Sequence, residues 1–197
     1  MHLGLDFDNT IVSYDALFHR VAREQALIPD EVPISKNAVR DFLRLAGREP
    51  AWTEMQGAVY GPRIVEAEPF PGMLDFLGAS AQAGLRMSIV SHKTRHPIVG
   101  EPHDLHTAAA RWLERWGVLD FIPRERIHFE LTKAAKLARI GEEGCTHFLD
   151  DLPELLAEPN FPSGVAGILF DPLRAHPPQP GVTPVDSWTA MRQYLAV

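Results

Sequence analysis

"LGLDFDNTIV", residues 3–12, sets an apolar run directly against two carboxylates, Asp6 and Asp8, before Ile11 and Val12 resume the apolar pattern. A short, unbroken apolar run reads as a strand buried on both faces, the kind found in parallel sheets covered by helices. Asp8, Asn9 and Thr10 are turn chemistry, so the strand stops where the carboxylates begin. Comparable runs recur at residues 85–90 ("LRMSIV"), 127–129, 146–149 ("THFL") and 165–170 ("VAGILF"), with helical patterns between them. That alternation predicts an α/β fold, a doubly wound, Rossmann-like parallel sheet.

The clearest helix spans residues 105–116, where Leu105, Ala108, Ala109, Trp112, Leu113 and Trp116 share one face and Gly117 ends it. Roughly eighty residues separate the first two strands, too many for one crossover helix. Residues 16–25 and 37–46 in that interval carry apolar stripes, Phe18, Val21 and Ala22 in one and Val39, Phe42 and Leu43 in the other. "EAEPFPGM", residues 66–73, reads as a Pro-rich hinge before a helix over 73–83. The expected layout is an α/β core of residues 1–12 and 69–197, with a small helical cap, 13–68, inserted after the first strand. Residues 171–184, rich in proline, read as irregular chain before a last helix over 187–195.

The net charge of −7 argues against a nucleic-acid partner, because phosphate backbones require basic faces. No stretch approaches the roughly 18 apolar residues of a membrane span, and the N-terminus carries no leader pattern. A lone cysteine, Cys145, precludes an internal disulfide and reads as buried packing, consistent with a reducing cytoplasm.

In open parallel sheets, ligands bind beyond the carboxyl ends of the strands. Asp6 and Asp8 fall there on the first strand, Ser91 on the second, and Asp150 and Asp151 on the fourth. Each alone has a plainer reading: Asp-Asn-Thr makes turns, and Asp-Asp before Leu-Pro caps a helix. Four carboxylates converging on one edge instead demand a cation. Hard oxygen ligands suit Mg²⁺, which screens the repulsion between a nucleophilic carboxylate and an anionic phosphorus centre. A second carboxylate two residues along suits general acid and base work.

"DFDNT", residues 6–10, resembles the DxDxT signature of the haloacid dehalogenase-like (HAD) superfamily. The order of the other parts is similar too: Ser91 after the second strand, a lysine on a later helix, and "DD" after the fourth strand. The resemblance spans residues 3–151 and extends to the phosphatases of that superfamily with a C1-type cap. It implies that Asp6 is the nucleophile and forms an aspartyl-phosphate, and that Asp8 is the general acid and base. It further implies Mg²⁺ held by Asp6, the main-chain carbonyl of Asp8, and Asp150 or Asp151, with Asp151 favoured. Thr10 and Ser91 would contact the phosphate. The presence of Asp8 speaks against dehalogenase chemistry, since such members lack the second Asp. The expected activity is hydrolysis of a small phosphorylated metabolite, a sugar phosphate ahead of a 5′-nucleotide. The alternative from another class is a catalytically idle binding module with the same fold.

In "FELTKAAKLARI", residues 129–140, Lys133 and Lys136 are both candidates for the phosphate cation. Lys133 is preferred because it opens the helix near the strand ends. "SHKTRHPIVGEPHDLH", residues 91–106, reads as a solvated basic loop, or as one that offers Lys93 and Arg95 to the substrate. Its histidines lack zinc-site spacing. In "WTEMQGAVYGPRIVEAEPF", residues 52–70, Tyr60 and Arg63 are candidate specificity residues, while Trp52 reads as core.

Overall fold

The computed structural model describes all 197 residues, Met1–Val197. Six strands form one sheet: β1 (His2–Leu5), β2 (Arg86–His92), β3 (Ile127–Glu130), β4 (His147–Asp150), β5 (Ala166–Phe170) and β6 (Val182–Val185). Their order is β3-β2-β1-β4-β5-β6, every neighbouring pair parallel. This is the doubly wound arrangement that the apolar runs predict, and its order reverses between β1 and β4. Gly4 on β1 lies where a Cβ would come within 2.5 Å of Phe148 on β4 and 2.9 Å of Cys145 Sγ, so only glycine lets the strand lie so close to these two side chains.

The chain divides into two compact units. The sheet unit comprises Met1–Val12, Pro69–Lys93 and Gly117–Val197. Beside the strands it holds α4 (Met73–Gln82), α6 (Lys133–Glu142), the short α7 (Pro153–Leu156) and α8 (Trp188–Leu195). Cys145 packs with Leu137, Ile140, Phe148, Leu155 and Leu169, and burial pushes its thiol up to about 12. It is core, as its surroundings in the sequence suggest.

The helical unit comprises Ser13–Glu68 and Thr94–Trp116, with α1 (Asp15–Glu24), α2 (Lys36–Leu45), α3 (Glu49–Tyr60) and α5 (Leu105–Arg115). Residues 94–116 thus join the unit that the sequence reading confined to 13–68. Two indoles help to tie it there: Trp112 on α5 and Trp116 just beyond its end both donate to the carbonyl of Ala67, at 2.9 and 3.2 Å. Trp52 is buried and stacks on Phe18 with ring centroids 4.9 Å apart, which makes it core. Tyr60 packs edge-on against Tyr14 and Phe18.

Two elements lie outside the expectations. Helix α3 carries Trp52, Met55 and Val59 on its buried face, a helical spacing that Pro50 and Gly57 disguise. Strand β6 falls partly in the segment read as irregular, because Pro184 sits inside it. Proline is tolerated there because β6 is an edge strand. No helix is long and apolar enough to cross a membrane.

Candidate active site

Strand β1 ends at Leu5, and the amide of Asp6 continues the ladder by donating to Leu149 on β4 at 2.9 Å. Asp6 therefore stands at the point where the strand order reverses. Beyond it the carbonyl of Phe7 accepts from both Ile11 and Val12, and Asn9 closes this turn in the left-handed region at φ 57°. Asparagine tolerates that conformation better than any β-branched residue, which accounts for its place in the motif.

Thr10 is folded under the turn, fully buried, and its hydroxyl finds no hydrogen-bond partner within the protein. Ser91 is also buried, but at the end of β2, paired with Phe129 of β3 along the edge that carries Asp6.

Lys136 is the central cation. Its ammonium donates to Asp6 Oδ1 and Asp150 Oδ2, both at 2.5 Å, and its side chain is only 2% exposed. Burial alone would lower its pKa, but the two carboxylates outweigh that effect and hold it above the ordinary lysine value. Burial, reinforced by the charge on Asp6, raises the Asp150 carboxyl, and Lys136 opposes the rise. Asp150 also accepts from the amide of Leu152 through Oδ1, at 2.9 Å.

The preference for Lys133 is overturned. Lys133 is the first residue of α6 and pairs with Glu158 at 2.9 Å, with 45% of its side chain exposed. Thr132 caps the helix by accepting from the amide of Ala135, which fixes where α6 starts. Helical side chains lean back toward the N-terminus, so the lysine one turn into α6 reaches the strand ends. The residue at the very start overshoots them.

Asp6, Asp150 and Asp151 each offer a carboxylate oxygen, and these atoms lie within 4.8 Å of one another. Three carboxylates against the one ammonium of Lys136 leave two negative charges, which a divalent cation neutralises. The donor set is all oxygen, as a hard cation requires. The residues therefore fit Mg²⁺. Asp8 contributes no carboxylate to this group, because its side chain is engaged elsewhere.

That engagement was not anticipated. Lys93 donates to both oxygens of Asp8, at 3.0 and 2.7 Å, and is 5% exposed. Its ammonium also stands over the ring of Phe7, 5.3 Å from the centroid. The chain is still extended at this point, since the amide of Lys93 donates to Glu130 at 2.9 Å. Strand alternation therefore places Lys93 on the same side as Ser91, with exposed His92 opposite. The two-residue spacing from Ser91 was the available signal.

The other specificity candidates are held within the helical unit. Arg63 binds Glu24 and Glu66 through its guanidinium, with two bonds of 2.7 Å to Glu66, so it is an internal staple rather than a spare cation. Arg95 is exposed but pairs with Asp104 at 2.9 Å, and Asp104 in turn caps α5.

No family model matches the sequence, and no curated protein matches it. Solved structures do resemble it. The HAD-hydrolase YfnB from Bacillus subtilis, bound to magnesium, is 12% identical with a TM-score of 0.60, covering 100% of this chain and 98% of that one. A dehalogenase solved with an intermediate complex is 14% identical with a TM-score of 0.64, covering 100% and 97%. The Mycobacterium tuberculosis protein tyrosine kinase A, PtkA, is 16% identical with a TM-score of 0.61, covering 100% and 98%. Identities this low speak to architecture alone, and the named chemistries differ. The chain has the fold of the HAD-superfamily hydrolases.

Proposed function

We propose that the protein is a Mg²⁺-dependent phosphomonoester hydrolase that works through an aspartyl-phosphate on Asp6. The observation that carries this reading is the convergence of Asp6, Lys136, Asp150 and Asp151, with Asp8 as a second carboxylate two residues from the first. A nucleophilic carboxylate beside a buried ammonium, with two charges left for a divalent cation, suits an anionic electrophile. Asp6, Asp150 and Asp151 would hold Mg²⁺, with the main-chain carbonyl of Asp8. The ion would neutralise the charge on the phosphoryl oxygens.

Asp6 attacks phosphorus as the bond to the leaving oxygen breaks, and protonated Asp8 donates its proton to that oxygen. Asp8, now a carboxylate, takes a proton from water as the water oxygen attacks phosphorus and frees Asp6. Lys136 orients Asp6 and balances charge, and the hydroxyl of Ser91 donates to a phosphoryl oxygen. The substrates are small phosphorylated metabolites, sugar phosphates ahead of nucleotides, and selection among them is assigned to the helical unit. Two structural neighbours are dehalogenases, but Asp8 favours the phosphatase, since displacing a halide calls for no proton donor.

A panel of phosphorylated metabolites and p-nitrophenyl phosphate, assayed for phosphate release with Mg²⁺ and with excess chelator, tests the reading. Release is expected with Mg²⁺ and abolished by chelator, and Asp6→Asn is expected to be inactive while melting normally. Halide release from 2-chloropropionate with no phosphate release from any monoester would overturn it.

A further inference from the structure

Lys93 is a buried cation that none of the roles above employs. It takes both oxygens of Asp8 in a fork and lies against the face of Phe7, itself fully buried between the two aspartates in sequence. Phe7 is held in turn by an edge-on contact with Phe129, with centroids 5.5 Å apart. The amide of Lys93 is bound into the strand ladder, so the side chain begins from a fixed backbone. A surface lysine would lose rotamer entropy for little return in such a position. A carboxylate with two free torsions on a tight turn, by contrast, gains a fixed orientation from a forked ammonium.

We infer that Lys93 is a positioning residue that aims the Asp8 carboxyl at the leaving oxygen, and that it matters most for substrates whose leaving group must be protonated. This rests on the phosphatase reading above. In the first half-reaction the Asp6–phosphorus bond forms, the phosphorus–leaving-oxygen bond breaks, and the proton moves from Asp8 to the leaving oxygen. Lys93 keeps its own protons throughout: it bonds one Asp8 oxygen while the other carries the proton, and the fork closes on the carboxylate that results. The natural substrate is then an alkyl phosphate, such as a sugar phosphate carried on a primary alcohol. A phenolate or acyl leaving group would gain little from an aimed acid.

The test compares kcat/KM for p-nitrophenyl phosphate and for an alkyl phosphate that the wild type hydrolyses, in wild type, Lys93→Met and Lys93→Arg. This parameter covers steps through departure of the leaving group and is blind to hydrolysis of the aspartyl-phosphate. Lys93→Met should lower the alkyl value at least about tenfold more than the aryl value, and Lys93→Arg should restore much of the difference. Mg²⁺ affinity by calorimetry should stay within about threefold, because the fork from Lys93 goes to the side chain of Asp8, which stands apart from the three clustered carboxylates. Equal losses on both substrates in a folded variant, no loss on either, or a collapse of Mg²⁺ affinity would overturn the positioning role and leave the phosphatase reading intact. A wild-type protein that hydrolyses no monoester would overturn both.

Discussion

Removing the Lys136 ammonium should cost stability in a way that Mg²⁺ partly reverses. The lysine is 2% exposed, with Asp6 6% and Asp150 0% exposed, so Lys136→Met leaves two carboxylates facing each other out of water. Breaking a buried ion pair by deleting one partner costs about 3–5 kcal/mol. For a chain of this size each kcal/mol lowers Tm by roughly 2–4 °C, so the expected loss in chelator is about 6–20 °C. Methionine keeps most of the volume of the stem, which assigns the loss to charge rather than to a cavity. Millimolar Mg²⁺ should recover several degrees in the variant, more than it adds to wild type, because only the variant lacks its internal cation. Lys133→Met is the control, and its exposed pair with Glu158 should move Tm by no more than about 4 °C. The assay is differential scanning fluorimetry with and without chelator. Equal melting of Lys136→Met and wild type in chelator, or a larger loss in Lys133→Met, would refute the reasoning.

Acid sensitivity should arise at the opposite end of the sheet. Burial, with Arg86 adding to it, holds His2 below its ordinary 6.5, and His2 Nε2 shares a 2.8 Å hydrogen bond with Ser88. A depressed pKa means the unfolded chain binds the proton first, so stability should fall as pH drops below about 6.5. His147 is lowered in the same direction, whereas Glu143 acts only below its ordinary 4.5. Melting His2→Gln and wild type between pH 5 and 7.5 should therefore show a shallower slope in the variant, and identical slopes would exclude His2. Gly4→Ala should destabilise by about 1–3 kcal/mol in urea melts, since its methyl meets Phe148 and Cys145. A variant as stable as wild type would mean that the strand can shift to admit it.

The run in residues 3–12 and its four counterparts anticipate the parallel sheet, because strands buried on both faces leave an unbroken apolar record. Asp6, Asp150 and Asp151 were legible for a related reason, since charges have no business at the ends of such strands without a ligand. The lysines were harder. Lys133 and Lys136 differ by one helical turn, and the choice depends on how far α6 projects past the sheet, which only packing decides. Lys93 reads as loop because Thr94 and the residues after it are loop, yet β2 runs two residues further than its apolar run and the amide of Lys93 still bonds to β3. Arg63 looked like a spare cation because Glu24, its distant partner, lies 39 positions away in sequence. Residues 94–116 are tied to the helical unit in part by the carbonyl of Ala67, which both indoles bond, and no periodicity reports a carbonyl.

Pro184 has a bearing on what this sheet refuses to do. A six-stranded sheet that is not closed into a barrel has two rims, and the rim formed by β6 would otherwise present a row of backbone donors and acceptors. Proline offers no donor, and in a rim strand its ring occupies the side that a newcomer would have to approach. An extended segment of another chain aligning there meets a methylene where it needs an N–H. The same residue that hides β6 from sequence periodicity thus ends the sheet's growth, and replacing it with valine would open a seam for intermolecular strand addition.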